Sequence, residues 1–414
     1  MKKLLFVFII TVLTYAQRQG TTVALEISAD QDAAIPIGVV VFQPLEGSED
    51  IGDIRPWVTI ADDLDWTGRF SVKKLNTADS ATLLREQVPV YISGSYTKTG
   101  DTVGIEAYLY DSGTRNLLMG KSYRFHQKDA HLTAHRFASA VHKTILGEDG
   151  PYESKIVYVE KRNNEKNIVM ADYDGKNKTY LTRSGINIMP SFIDKRNVLC
   201  VAYDRGKPDI YILDILQGKK TPLVATRRVE SSPNYSDVNG RVVFASSKSG
   251  NMEIYSIKLD GTDEQRLSVS PSISTAPNWS PNGFRLAFIS DRTGAPQIYV
   301  ADRTGANVQR ITFGGTYHDS PSWSPDGTKI AYTAQRGGRK MIAVSLANGR
   351  EEVLVTEGVR GQQEYPSWSP DGSHILFTLT QGGRSDVYAM RLKDKRLLRL
   401  SETGNSEQSK WSGF

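Results

Sequence analysis

The feature that most constrains this chain is an aromatic residue that recurs about every 44 positions through its C-terminal two thirds. In the clearest copies it is a tryptophan within Pro-(Asn/Ser)-Trp-Ser-Pro, at residues 277–281, 321–325 and 366–370. Successive copies are 43, 44, 44, 45 and 43 residues apart, and each unit contains four strand-like stretches. A repeat of this length predicts the blades of a β-propeller, and six aromatics predict six blades. The six are Phe192, Tyr235, Trp279, Trp323, Trp368 and Trp411.

The ends of the repeat region predict how the ring closes. The first unit begins at Ile156 with no aromatic strand before it, and the strand around Trp411 has no strands after it. Joining them forms the sixth blade from both ends of the region and removes two exposed sheet edges. Pro-Asp-Gly, Asp-Gly and Asn-Gly turns favour antiparallel hairpins, because these residues tolerate positive φ. The repeated aromatic is interpreted as packing between blades, with a role in binding a sugar or methyl-lysine as the alternative.

The N-terminus has the pattern of a secretory signal peptide. Lys2 and Lys3 precede an apolar run at 4–13 and a small-residue cleavage site at 14–16. We predict a signal peptide at 1–16 and a mature N-terminal segment at 17–35, with a retained membrane anchor as the alternative. Cys200 is the single cysteine of the sequence, so neither a disulfide nor a cysteine metal site is expected.

Residues 36–150 alternate strand and helix patterns and predict a small α/β domain. The fold class is therefore an α/β N-terminal domain followed by an all-β six-bladed β-propeller at 151–414, closed by the C-terminal strand. The predicted strands are 37–42, 70–72, 88–96, 103–110 and 117–125. The predicted helices are 50–64, with Pro56 near a break or the start, 79–87 and 131–146. His131, His135 and His142 share one side of the last helix. This row is the pattern of a helix flank that borders the core, with a metal-binding face as the alternative.

Charge distribution argues against nucleic-acid binding. Residues 17–150 carry 13 Lys or Arg and 18 Asp or Glu, whereas residues 151–414 carry 36 and 28. The basic excess is dispersed among the blades and forms no Lys/Arg block. After residue 13 no apolar stretch reaches the length of the first, so we expect no direct membrane span. We also expect no cofactor and a monomer.

The mature N-terminal segment contains a short alternating pattern. Val23, Leu25 and Ile27 alternate with polar or small residues, and a polar stretch follows at 29–33. This pattern is typical of a strand that adds to the edge of another sheet. A first strand of the α/β domain itself is the alternative, and the sequence leaves both open.

A second candidate surface comprises the loops that join the outer strand of one blade to the inner strand of the next. These loops meet at one mouth of the ring and carry polar residues that do not repeat, as a recognition surface requires. Solvated turns without a partner are the alternative. The candidate residues are Glu230, Thr275, His318, Asp319, Gln363 and Glu364.

A hydrolase is not expected, because the sequence lacks a Gly-x-Ser-x-Gly elbow and only His318 and His374 fall in the propeller region. A propeller that binds a small glycan or peptide in its channel is the other alternative.

The whole mature chain resembles the TolB family of the Tol–Pal cell-envelope system of Gram-negative bacteria. The resemblance rests on Trp-Ser-Pro-Asp-Gly at 323–327 and 368–372, on Pro-Ile-Gly-Val-Val-Val-Phe at 36–42 and on the closing Trp411. It implies a non-enzymatic periplasmic adaptor whose propeller binds the lipoprotein Pal and whose N-terminal segment binds TolA, supporting outer-membrane integrity and constriction at cell division. It also implies that Thr275 contacts Pal. Phe192 and Tyr235 depart from the tryptophan signature.

Overall fold

The structure is a computed structural model that describes residues 33–413. The chain divides after Glu153 into two compact units. The predicted signal peptide and the alternating strand with Val23, Leu25 and Ile27 lie outside the described residues. None of the helices within the described range combines the length and the apolarity needed to cross a membrane.

The N-terminal unit is an α/β sheet domain. Its sheet has the spatial order β3-β1-β4-β5-β6, in which β1 runs parallel to β3 and β4, and the last three strands form an antiparallel meander. The short β2 pairs with β4. The strands are β1 Ile35–Val40, β2 Gln43–Pro44, β3 Phe70–Leu75, β4 Val90–Thr99, β5 Thr102–Asp111 and β6 Leu117–His126. The helices are α1 Pro56–Trp66, α2 Ser80–Arg85 and α3 Ala130–Leu146, with 3₁₀ turns at Gln127–Asp129 and Pro151–Glu153.

The helix boundaries follow from local chemistry. α1 begins at Pro56, which was predicted as a break or start within 50–64. Proline presets the helical φ and has no N–H that the first turn would leave unpaired. α2 is capped by Asp79, whose carboxylate accepts a hydrogen bond from the Thr82 N–H at 2.9 Å. α3 ends at Gly147, where φ is +76°.

The histidine row of α3 borders the core of this unit. His135 is buried, and its Nδ1 lies 2.8 Å from the Asp63 carboxylate. His142 is buried and lies 2.9 Å from the Tyr152 hydroxyl. These contacts agree with the interpretation of the row as a helix flank against the core.

The C-terminal unit contains six four-stranded antiparallel sheets, which confirms the predicted six-bladed propeller. In each blade the inner strand carries the repeated aromatic at or next to its end. The second, third and outer strands lie beside it in that order across the sheet. The inner strands are Asn187–Phe192, Glu230–Ser236, Ser274–Trp279, His318–Trp323, Gln362–Trp368 and Ser406–Trp411. The second strands are Asn197–Ala202, Arg241–Ser246, Arg285–Ser290, Lys329–Arg336, His374–Gln381 and Lys155–Arg162. The third strands are Asp209–Asp214, Glu253–Lys258, Gln297–Asp302, Arg339–Leu346, Arg384–Arg391 and Glu165–Asp172. The outer strands are Lys220–Val224, Gln265–Arg266, Gln309–Arg310, Val353–Leu354, Leu397–Arg399 and Thr179–Tyr180.

The last inner strand closes the ring as predicted. Ser406–Trp411 pairs antiparallel with Lys155–Arg162, so the sixth blade combines both ends of the unit. The Trp411 indole N–H donates to Ser154 Oγ at 2.8 Å. Ser412 completes the junction, because its Oγ accepts from the Lys155 N–H at 2.9 Å and its own N–H donates to the Lys155 carbonyl.

The repeated aromatics pack between blades. Trp323 is 6% exposed and belongs to a core cluster that includes Ile298 of the preceding blade and Tyr332 of its own blade. Its indole N–H donates to the Asn278 carbonyl of the preceding inner strand at 3.2 Å. Trp368 makes the equivalent bond to the Ser322 carbonyl at 3.1 Å. These contacts assign the tryptophans to the core.

Candidate binding surface at the channel mouth

The inner strands share a backbone irregularity near their first residues. In all six, the register with the second strand shifts over the residues that precede the aromatic, as in a β-bulge. The residue three positions before the aromatic has a left-handed φ of 48–59° in every blade, although none is glycine. These residues are Met189, Ser232, Ala276, Ser320, Tyr365 and Gln408. A left-handed conformation costs a non-glycine residue about 1–2 kcal/mol, so the surrounding fold must hold it in place.

Six positions, each two residues before the left-handed residue, are fully buried. They lie five residues before each aromatic, and each is 0% exposed. We call them the entry positions: Asn187, Glu230, Ser274, His318, Gln363 and Ser406. The mouth positions, one residue later, are all partly exposed: Ile188, Ser231, Thr275, Asp319, Glu364 and Glu407. The two adjacent residues precede the bulge and point to opposite faces of the strand, one into the blade and one toward solvent.

Three of the predicted surface residues occupy entry positions and bond to their own chain. Glu230 accepts hydrogen bonds from the hydroxyls of Thr226 and Ser246. The Gln363 amide donates to the carbonyls of Val359 and Gly361 at 3.2 and 2.9 Å. The bonds to Thr226, Val359 and Gly361 brace the loops that lead into these two inner strands.

His318 is the third residue of this kind. Its Nε2 lies 3.2 Å from Arg336 Nη1, and its ring packs edge-on against Tyr332. Burial, and next the Arg336 guanidinium, lower the pKa of His318 to about 4. The ring is therefore neutral at physiological pH. In this structure Glu230, His318 and Gln363 are not accessible to a partner.

The other three predicted residues occupy mouth positions. Thr275 and Asp319 line a cavity of about 270 Å³ at the mouth of the central channel. The Asp319 carboxylate accepts from the Tyr317 hydroxyl at 2.5 Å and from the Ser320 N–H at 2.6 Å. Glu364 forms an ion pair with Lys340. The structure thus brings Thr275 and Asp319 into one cavity and places Glu364 at the equivalent point of the next blade.

Sequence reasoning missed several residues of this cavity. All six left-handed residues line it, including Met189, Tyr365 and Gln408. The Gln408 side chain accepts a hydrogen bond from the Met189 N–H at 3.0 Å and so joins the first and sixth blades at the mouth. A signal was present, because proline follows the left-handed residue in five of the six inner strands. The residue before this proline varies from blade to blade, so the repeat pattern does not single it out.

The opposite end of the blades carries the Ser-Pro-Asp-Gly turns. Ser324 Oγ donates to Asp326 Oδ1 at 2.5 Å and accepts from the Lys329 N–H at 2.9 Å. Both histidines of the propeller, His318 and His374, are fully buried. No imidazole among residues 154–413 is therefore placed to activate a serine on a substrate.

Six antiparallel four-stranded blades around a central channel, closed by a strand from the C-terminal end, define the class of six-bladed β-propellers. The channel mouth of this one is lined by residues that differ between blades. The chain belongs to the TolB β-propeller family, whose model, described as the TolB beta propeller domain, matches residues 142–414.

Individual relatives agree with this assignment. The chain is 33% identical over 269 residues to "Protein TolB homolog" from Chlorobaculum tepidum, covering 61% of this chain and 60% of that protein. It is 32% identical over 256 residues to "Tol-Pal system protein TolB" from Desulfosudis oleivorans, covering 57% of this chain and 58% of that protein. The matches thus span about 60% of these relatives' length. The crystal structure of TolB from Acinetobacter baumannii superposes with a TM-score of 0.78 at 23% identity, covering 93% of this chain and 98% of that one, and confirms the fold.

Proposed function

We propose that this protein is a non-enzymatic adaptor of the Tol–Pal system in the periplasm. In this proposal the propeller binds Pal, the N-terminal segment binds TolA, and the assembly supports outer-membrane integrity and constriction at cell division. Membership of the TolB family supports the system. The observation that carries the adaptor role is the channel mouth, where an identical bulged backbone presents different side chains from blade to blade.

The proposed Pal surface consists of the mouth positions and the cavity between them. Thr275, Asp319 and Glu364 are partly exposed there, and four prolines stiffen the lining: Pro190, Pro233, Pro277 and Pro321. A rigid backbone lowers the entropy cost of binding, because little of it must be ordered in the complex. Glu230, His318 and Gln363 serve this surface indirectly, by holding the loops that lead into it.

The proposed TolA segment includes Val23, Leu25 and Ile27, which lie outside the described residues. Their alternation with polar residues is the basis for proposing strand addition to TolA, in which backbone hydrogen bonds supply affinity and alternate side chains supply specificity. We expect removal of residues 17–29 to abolish TolA binding while Pal binding persists. Proline at Ala24 or Glu26 should have the same effect, since it removes a ladder donor and leaves the apolar side chains in place.

The experiment measures both affinities by calorimetric titration of the mature chain with the cognate Pal and with the periplasmic part of TolA. Thermal unfolding of the truncated protein is recorded in parallel. TolA binding by a folded truncation contradicts strand addition, and loss of folding returns the segment to a structural role. Failure of the full mature chain to bind either partner overturns the adaptor proposal.

A further inference from the structure

A second level of the central channel carries a ring of polar residues. Each inner strand contributes the residue immediately before its aromatic, and all six line a cavity of about 430 Å³ on the aromatic side of the channel. Asn234, Asn278 and Lys410 also line the mouth cavity, so the ring lies where the two cavities meet. We call this set the waist ring: Ser191, Asn234, Asn278, Ser322, Ser367 and Lys410.

Three members of the waist ring use their acceptor atoms to join neighbouring blades. Asn234 Oδ1 accepts from the Trp279 N–H at 2.8 Å, and Asn278 Oδ1 accepts from the Trp323 N–H at 3.1 Å. Ser367 Oγ accepts from the Trp411 N–H at 3.0 Å. A backbone N–H only donates, so the asparagine atom that faces it must be the oxygen. The asparagine amide N–H groups and the Ser367 hydroxyl hydrogen are left as donors.

Lys410 differs from the rest of the waist ring. An ammonium has no acceptor atom, so Lys410 cannot make the bond between blades that Asn234, Asn278 and Ser367 make. Within residues 33–413 its Nζ has neither a hydrogen-bond partner nor an ion-pair partner. Burial alone lowers the pKa of Lys410 to about 8, so the group is still mainly charged at neutral pH.

The carboxylates of the mouth do not neutralise this charge. Glu407 pairs with Lys166 at 2.6 Å, and Glu364 pairs with Lys340. Asp319 accepts from Tyr317 and from the Ser320 backbone. Asp237 lines the aromatic-side cavity but is exposed to solvent. The waist ring therefore presents one positive charge surrounded by neutral donors.

We propose that the waist ring is a binding site for a carboxylate that enters the channel, with Lys410 as its charged contact. A carboxylate accepts several hydrogen bonds and carries one negative charge, which the single ammonium balances; a phosphate dianion would retain an unbalanced charge. The walls suit an apolar group beside the carboxylate, because Trp279, Trp323 and Trp368 line one cavity and Pro233, Pro277 and Pro321 line the other. The carboxylate can belong to a small organic acid or to an acidic side chain of a peptide.

Two pairs of probes test the site on the full mature chain at constant ionic strength. Propionate is compared with neutral propionamide, and acetyl-Ala-Glu-Ala-amide with acetyl-Ala-Gln-Ala-amide. Binding is followed by tryptophan fluorescence and by the melting temperature. We expect saturable binding of a charged probe and none of its neutral counterpart. Propionate alone indicates a small acid as the ligand, and the Glu peptide alone indicates a peptide side chain.

Lys410→Ser gives the ring the residue found in three other blades. It should weaken carboxylate binding by about tenfold or more, because a charged donor is replaced by a neutral hydroxyl and charge-assisted hydrogen bonds are the stronger ones. Lys178→Ser removes the same charge from an exposed turn and should bind like the parent. In the unmodified protein, propionate should slow the acetylation of Lys410 by an N-hydroxysuccinimide ester, measured by peptide mass spectrometry. Equal affinity of Lys410→Ser and parent, equal binding of the neutral probes, or unprotected Lys410 overturns the site.

Discussion

At the turn end of the blades, Ser280, Ser324 and Ser369 each accept a hydrogen bond at 2.9 Å from the backbone N–H five residues later. At the mouth end, by contrast, five residue types occupy the six equivalent mouth positions. Both ends belong to the same inner strands, and both must allow the six blades to close into a ring. Residues that repeat from blade to blade are therefore those that the fold requires. Positions where the residue varies are those at which a partner-specific surface is compatible with the fold.

The Ser-Pro-(Asp/Asn)-Gly turns and the mouth bulges also differ in which residues adopt left-handed backbone. In the turns, positive φ falls on Gly283, Gly327 and Gly372, which adopt it without steric cost. At the mouth it falls on six non-glycine residues. Left-handed backbone is thus free of steric cost in these turns, whereas in the bulges it falls on residues with side chains and is strained.

The largest effect is expected from breaking the closure. Deleting residues 410–414 removes Trp411, which is 6% exposed, and the Ser412 bonds that tie the strand to Lys155. The free energy of unfolding should fall by about 3–5 kcal/mol, the range for losing a buried tryptophan. Chemical denaturation followed by circular dichroism measures it. An unchanged midpoint would contradict a stabilising role for the closing strand.

The next effect should appear in binding and not in stability. Thr275→Lys places a long cation at the mouth and should weaken Pal binding by about tenfold or more, since every 1.4 kcal/mol is a factor of ten. Asp319→Lys should act similarly. Thr179→Lys, on an exposed outer strand, is the matched control. Calorimetry showing parental affinity for both mouth variants, with folding intact, would exclude this end as the Pal surface.

The serine turns should show the reverse pattern, with an effect on stability and none on Pal binding. Ser369→Ala removes a buried hydroxyl that accepts from the His374 N–H and donates to Asp371 at 2.6 Å. We expect a loss of about 1–2 kcal/mol, because a buried donor is left unpaired, with no change in Pal affinity. Ser249→Ala in an exposed loop is the control. Weaker Pal binding by Ser369→Ala would show that the turn end is not purely structural.

A pH effect should also come from the mouth end. The folded pKa of His318 is about 4, below the ordinary value of 6.5, so the unfolded chain takes up a proton between these values that the folded chain refuses. Stability should therefore fall as pH drops from 6.5 toward 4, by about 1 kcal/mol per buried histidine near pH 5.5. His318→Gln, which introduces the residue of the next blade's entry position, should reduce this loss. Identical urea midpoints at pH 7.5 and 5.5 in the parent would contradict it.

The sequence predicted the blades, their number and the closure because a 44-residue period and turn dipeptides are local signals. It did not distinguish the buried residues Glu230, His318 and Gln363 from the partly exposed residues Thr275, Asp319 and Glu364. Side chains alternate between faces along a regular strand, but the bulge adds one residue and shifts that alternation by one at the mouth. For α1 the sequence left open whether Pro56 breaks or starts the helix, and in the structure it starts it, because the stretch before Pro56 forms turns. The waist-ring role of Lys410 depends on contacts among six strands that no single repeat displays.

The smallest effect tests the strain itself. Ser232 adopts a φ of +52°, whereas its neighbour Ser231 has no positive φ. Ser232→Gly relieves about 1–2 kcal/mol of left-handed strain but adds about 0.5–1 kcal/mol of unfolded-state entropy, so the protein should be stabilised by about 0.5 kcal/mol. Ser231→Gly incurs only the entropy cost and should destabilise by about 0.5–1 kcal/mol. The two variants differ by one position and remove the same side chain, so opposite signs of the change in unfolding free energy would identify the bulge as strained. Equal destabilisation by both would show that the mouth holds its left-handed residues without cost, and the contrast with the glycine turns would then rest on side-chain variety alone.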